Sequence, residues 1–140
     1  MCGRMNIDTK LCSVISDVFS INFTTPTNDN LSPSQTVSTI INNGGRTQQL
    51  NAEWGLKPNW SKRLLINAQS ETVLTKLTFK DAIISHRCLI ACSGWYEWCE
   101  ENGKKQKYLF SKVNDEPFLM EGICYQTPNE TPQLVALTHQ

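Results

Sequence analysis

The sequence carries no net charge, because thirteen lysines and arginines balance thirteen aspartates and glutamates. That argues against a protein that coats long stretches of nucleic acid through bulk charge. Contact with phosphates must then come from a local patch, and two candidates exist. Lys57, Lys62 and Arg63 surround Trp60, a mixture of cation and aromatic that suits single-stranded nucleic acid. Lys104, Lys105 and Lys107 instead flank Asn102-Gly103, a hairpin-turn signal, and read as a solvated turn. Long apolar runs are also missing: none approaches the ~20 residues of a membrane span, and no signal-peptide core is present. The cytosol is therefore the expected compartment. Six cysteines without an export signal read as reduced thiols. His86, Cys88, Cys92 and Cys99 are close in sequence but lack the paired short knuckles of structural zinc modules. Cys88 and Cys92 sit in an apolar run, where cysteine acts as a small hydrophobe, so no metal is expected.

What is present reads as one globular domain over residues 1–140. Asp8 is placed to cap a helix whose apolar positions are Leu11, Val14, Ile15, Val18 and Phe19. The Asn-, Thr- and Pro-rich stretch from Asn22 to Pro33 reads as loop. A β-branched strand at Thr36–Ile41 should turn through Asn42-Asn43-Gly44-Gly45 into a partner at Gln48–Trp54. Gly55 to Arg63 is irregular, and Thr78 to Ser85 reads as a short helix. Strands are expected at Arg87–Ala91, Trp95–Trp98, Lys107–Phe110, Phe118–Glu121 and Leu134–Leu137. Many short strands with few helices predict an α+β fold around a mostly antiparallel, barrel-like sheet. The chain stops at Thr138-His139-Gln140, directly after an apolar run that reads as a core strand, and this suggests a truncated domain.

Chemistry enters at the first residues, Met1-Cys2-Gly3-Arg4. Removal of Met1 would leave Cys2 with a free α-amine two carbons from its thiol. Such a 1,2-aminothiol traps an aldehyde as a five-membered ring: the amine gives an imine, and the sulfur closes onto its carbon. With pKa values of about 8 and about 8.5, amine and thiol are minority nucleophiles at neutral pH and gain from nearby proton-transfer groups. Glu97, in Gly94-Trp95-Tyr96-Glu97-Trp98, is a candidate. Strand alternation sets it on the face of Trp95, where partial desolvation suits a carboxylate to general acid–base work. The alternative is an exposed Glu97 on a strand that buries Tyr96 and Trp98. Asn67 follows the apolar Leu64-Leu65-Ile66 and can orient a carbonyl or a backbone group, or serve only as a turn residue.

Taken in order, Met1-Cys2-Gly3-Arg4, Asn30-Leu31-Ser32-Pro33-Ser34-Gln35, Trp54-Gly55-Leu56-Lys57-Pro58-Asn59-Trp60, Asn67-Ala68-Gln69-Ser70-Glu71-Thr72 and Cys92-Ser93-Gly94-Trp95-Tyr96-Glu97-Trp98 closely resemble the SOS-response-associated peptidase (SRAP) family of abasic-site processing proteins. The resemblance implies a compact α+β domain that senses abasic sites in single-stranded DNA and forms a thiazolidine crosslink through Cys2. It implies that Asn67 positions the N-terminus and the sugar, and that Glu97 moves protons. It also implies a DNA groove built from Arg4, Trp60, Lys62 and Gln69. Self-processing of the N-terminus and abasic-site lyase activity come with the family, whereas a cofactor does not; a monomer is expected. Two departures stand out. Gln69 occupies a position that is often arginine, which removes a charge from a place expected to face phosphate. The family's histidine lies in a His-x-Arg-Met-Pro segment that this chain does not show. His139 is not expected to replace it, which puts lyase activity and crosslink reversal in doubt. Two rival readings remain. An N-terminal-nucleophile amidohydrolase of the glutamine amidotransferase kind also opens Met-Cys-Gly, and a non-catalytic single-strand-binding domain is the other.

Overall fold

The computed structural model describes residues 3–139, so Cys2 lies outside the described residues. The chain forms β1 (Met5–Ile7), α1 (Leu11–Phe19), β2 (Asn28–Leu31), β3 (Thr36–Asn43), β4 (Arg46–Trp54) and β5 (Asn67–Gln69). It continues through α2 (Ala82–Ser85), β6 (Arg87–Cys92), β7 (Gly94–Glu101), β8 (Lys104–Ser111), β9 (Phe118–Tyr125) and β10 (Gln133–Thr138). The expected hairpin is there: β3 and β4 pair from Thr36–Glu53 to Asn43–Arg46. Gly44 and Gly45 make its turn at φ 59° and 87°, and the Asn42 side chain accepts the Gly45 N–H at 2.8 Å.

The larger sheet runs β4-β3-β6-β9-β10-β5, and β10 also pairs with β4, which closes the sheet into a barrel. All its neighbours are antiparallel except β10 against β4 and β5. Trp54 is wholly buried and its indole N–H donates to Ile66 O at 3.0 Å, tying the end of β4 to the segment that leads into β5. Thr39, also fully buried, donates its hydroxyl to Leu50 O at 2.6 Å. The smaller sheet, β2-β1-β7-β8, is antiparallel throughout and ends in the β7–β8 hairpin, turning at Asn102-Gly103. Lys104, Lys105 and Lys107 are exposed on that hairpin, and Cys88 and Cys92 are buried in the core, as the sequence implied.

Three expectations need correction, and the expected helix α1 buries only part of its apolar positions. Asn22 to Pro33 is not all loop, because β2 forms inside it by pairing Leu31 with Met5 of β1. On α1 only Leu11 and Ile15 are fully buried, while Val14 and Val18 are 42% and 62% exposed. A helix of nine residues docks one narrow stripe here, and the apolar residues beside that stripe stay outside. Asp8 organises the turn before α1, its carboxylate accepting the Lys10 N–H at 3.0 Å, instead of capping the helix itself. The helix expected at Thr78–Ser85 is regular only from Ala82, after a run of turns.

Gly94 opens β7 opposite Ser111 of β8, hard against the Phe110 carbonyl. A Cβ added there would lie 2.5 Å from Phe110 O, a backbone atom that cannot move aside without breaking the hairpin. Gly94→Ala should therefore destabilise the domain by about 1–3 kcal/mol. Urea unfolding followed by tryptophan fluorescence tests this, and an unchanged midpoint would contradict it.

Candidate active site at the start of the chain

Strand β7 separates its side chains onto two faces with different surroundings. Trp95 and Glu97 line an open cavity of about 720 Å³ together with Phe118, Met120, Leu137 and His139. Trp95 is held by aromatic neighbours, stacked on Phe110 at 5.7 Å between centroids and edge-on to Phe118 at 4.6 Å. On the other face the Tyr96 hydroxyl donates to Asp29 O at 2.7 Å, and Lys107 Nζ lies 4.1 Å from the Tyr96 ring centroid. Tyr96 and Trp98 are not core residues, and Trp98 is 45% exposed. The alternative in which they are buried and Glu97 faces solvent is thereby replaced. Glu97 is half-buried beside a fixed aromatic wall.

The chain start reaches the same place through backbone pairing. Met5 sits opposite Trp95 and Asn6 opposite Gly94, and the Tyr96 N–H donates to Arg4 O at 3.0 Å. The pairing thus runs back to Arg4, whose carbonyl meets the residue before Glu97. Ser93 secures this arrangement: its backbone N–H donates to Asn6 O at 2.8 Å, and its hydroxyl accepts the Asp8 N–H at 2.8 Å. Ser93 drew no separate notice in the sequence, and its presence within the Cys92–Trp98 motif was the one available signal. Arg4 is half-buried, with Nη1 donating to Gly3 O at 2.8 Å.

Asn67 arrives from the barrel. It opens β5, opposite Ala136 of β10, and is half-buried. Ile66 O, just before it, accepts both the Ala136 N–H at 3.0 Å and the Trp54 indole N–H, which fixes where β5 starts. Gln69 lies opposite Thr138, at the end of the strand whose last residues line the Glu97 cavity. His139 also reaches this cavity, with Nδ1 2.7 Å from Ser70 Oγ and 4.0 Å from Glu71 Oε1.

Trp60 and Lys62 are exposed on the irregular segment between the Leu56–Leu65 bridge residues, Trp60 by 70%. They do not line the Glu97 cavity. A more apolar cavity of about 610 Å³ is lined by Ile40, Val73, Ile83, Arg87 and Cys88. Its thiol is no nucleophile, because a hydrogen bond with Cys124 and burial push Cys88 far above the ordinary thiol range.

Residues 1–138 match the family described as SOS response associated peptidase (SRAP). The abasic site processing protein YoqW of Bacillus subtilis is 34% identical over 145 residues, covering 94% of this chain and 64% of that protein. The chain thus spans less than two thirds of that relative's length. Abasic site processing protein YoaM of the same organism is 34% identical over 108 residues, covering 70% of this chain and 47% of its own length. In solved structures, a phage-related protein from Bordetella bronchiseptica superposes with a TM-score of 0.83 at 22% identity, covering 99% of this chain and 69% of that one. A protein from Bacteroides thetaiotaomicron superposes with a TM-score of 0.76 at 21% identity, covering 99% of this chain and 68% of that one. At such identities the superpositions speak to the fold alone. The chain belongs to the SOS response associated peptidase family.

Proposed function

We propose that this protein captures abasic sites in single-stranded DNA by forming a thiazolidine between Cys2, exposed after loss of Met1, and the ring-opened sugar aldehyde. The supporting observation is the β1–β7 pairing, which holds Met5 opposite Trp95 and Arg4 O on the Tyr96 N–H, next to Glu97 in an open, aromatic-walled cavity. In this reading the Cys2 amine adds to the aldehyde carbon, water leaves to give the imine, and the thiolate closes the ring. Glu97 takes and returns protons during these steps. Asn67 holds the N-terminal residue and the sugar hydroxyl, a role that fits its fixed place at the head of β5. Arg4 and Gln69 contact the strand close to the lesion, while Trp60 stacks on a flanking base and Lys62 meets a phosphate.

Self-processing of the N-terminus, which would use the Cys2 thiol while its nitrogen is still an amide, and β-elimination at the lesion, which would use the freed Cys2 amine, belong to the same proposal, with Glu97 moving protons in both. So do action as a monomer and a cytoplasmic location. The test is incubation of the chain, with its native N-terminus, with a single-stranded oligonucleotide bearing one abasic site. The expected product is an adduct that survives heat and denaturant and is absent with intact DNA. Ammonia release from glutamine with no adduct would instead favour the amidohydrolase. Binding with no adduct would favour a non-catalytic module.

A further inference from the structure

We propose that the outer edge of β8 is a docking site for an extended peptide with an apolar centre flanked by two carboxylates, added to the smaller sheet as a further strand. The inference goes beyond the abasic-site reading and uses none of its residues. β8 ends the order β2-β1-β7-β8, and all of its residues are exposed. The two edges of this sheet are built differently. β2 is four residues long, and its pairing with β1 shifts register between Met5 and Ile7. Short length and a bulge are ordinary ways to keep an edge from pairing. β8 has neither: it runs for eight residues, without proline and in unbroken register with β7.

In an antiparallel strand every second residue turns its N–H and C=O to the same side. On the side away from β7 those groups have no strand partner among the described residues. An added peptide strand answers both the donors and the acceptors. The backbone of single-stranded DNA offers phosphate acceptors but no donors for the carbonyls, so a peptide is the better match.

Side chains decide which peptide. Tyr108, Leu109 and Phe110 make an exposed apolar centre. Lys107 precedes it, and Lys112 follows Ser111 on backbone that is still extended, at φ −78° and ψ 151°. Both ammonium groups lie against rings, Lys107 Nζ 4.1 Å from the Tyr96 centroid and Lys112 Nζ 5.2 Å from that of Phe118. A ring face holds a cation without cancelling its charge. Neither lysine is in an ion pair among the described residues. Lys104 and Lys105 differ, because they stand opposite Glu101 and Glu100 of β7. The edge therefore presents a positive charge at each end of an apolar centre, about 17 Å apart at the rise of an extended strand. Two copies of β8 paired antiparallel about this centre would set Lys107 of each against Lys112 of the other. Like charges directly opposite disfavour that pairing, whereas carboxylates at the same spacing favour a different strand.

The probe is an acetylated, amidated peptide, Ser-Glu-Val-Tyr-Val-Thr-Glu-Ser, carrying a fluorophore and titrated with the full chain by fluorescence polarisation. Its glutamates are spaced as Lys107 and Lys112 are. Saturable binding is expected, with slowed hydrogen exchange at alternate amides of β8. The double variant Lys107→Gln/Lys112→Gln should keep its thermal midpoint and bind at least about fivefold more weakly. A probe with lysine in place of both glutamates should lose as much, and one with proline in place of both valines should not bind. The proposal is overturned if the first probe shows no saturable binding, if the proline probe binds equally well, or if the double variant binds as wild type does. Slowed exchange elsewhere but not on β8 would also overturn it. So would displacement of the probe by intact single-stranded DNA, or a dimer of the chain that the probe dissociates, since nucleic acid or a second copy would then be the occupant. Cys2→Ala should bind the probe as wild type does, so failure here and failure of the abasic-site reading are distinguishable.

Discussion

Cys2→Ala should leave no heat-stable adduct on abasic single-stranded DNA, while a borohydride-trapped adduct should persist at low yield. The two parts separate the two nucleophiles of one residue. Alanine is small, so Met1 would still be trimmed and an α-amine would still stand at the start of the chain. That amine can form an imine with the sugar aldehyde, and reduction makes the imine permanent. Without sulfur the imine cannot close into a ring, and it hydrolyses during heating. Cys2→Ser should behave like the alanine variant, because a hydroxyl is a far poorer nucleophile than a thiolate at neutral pH. A residue placed ahead of Cys2 should abolish the heat-stable adduct, since it converts the Cys2 amine into an amide and leaves the new α-amine without a neighbouring thiol. If Cys2→Ala gives as much heat-stable adduct as wild type, the chemistry assigned to this residue is wrong. None of the buried thiols offers a substitute, because Cys88, Cys92 and Cys124 are enclosed in the core.

What could be read from the residues was whatever local spacing controls. The Asn42–Gly45 turn announced the β3–β4 hairpin, and strand alternation put Glu97 on the face of Trp95. Features created by distant pairing left no such mark. β2 exists because Leu31 meets Met5, although its Asn-rich sequence has little strand preference of its own. Barrel closure depends on β10 running parallel to β4 and β5, with Leu134 opposite Trp54 and Ala136 opposite Asn67. Nothing near Asn67 in sequence signals that strand. The place of His139 is hidden in the same way, since it follows from the Thr138–Gln69 register. Val14 and Val18 erred in the opposite direction: helical spacing was right, but spacing does not say how wide a stripe the sheet will cover.

Glu97→Gln should slow adduct formation by about 10²-fold or more while leaving the final yield unchanged on long incubation. Glutamine matches glutamate in size and keeps one acceptor oxygen, but it cannot accept a proton. The side chain is half-buried against Trp95, so losing the charge alone should not disturb the fold, and the thermal midpoint serves as the check. The unchanged yield is the more searching part. The equilibrium between aldehyde and thiazolidine is fixed by the aminothiol and the sugar, and a proton-transfer group lowers the barrier in both directions equally. A variant that lost rate and yield together would instead have lost DNA binding or the placement of Cys2. Glu121→Gln is the matched control. Glu121 lines the same cavity but is exposed on β9, in the larger sheet and outside the β1–β7 pairing. If its loss slows the reaction as much as the loss of Glu97, the cavity acts through its summed negative charge. If only Glu97→Gln is slow, the base is the β7 carboxylate, one residue beyond the Tyr96 N–H that Arg4 O accepts.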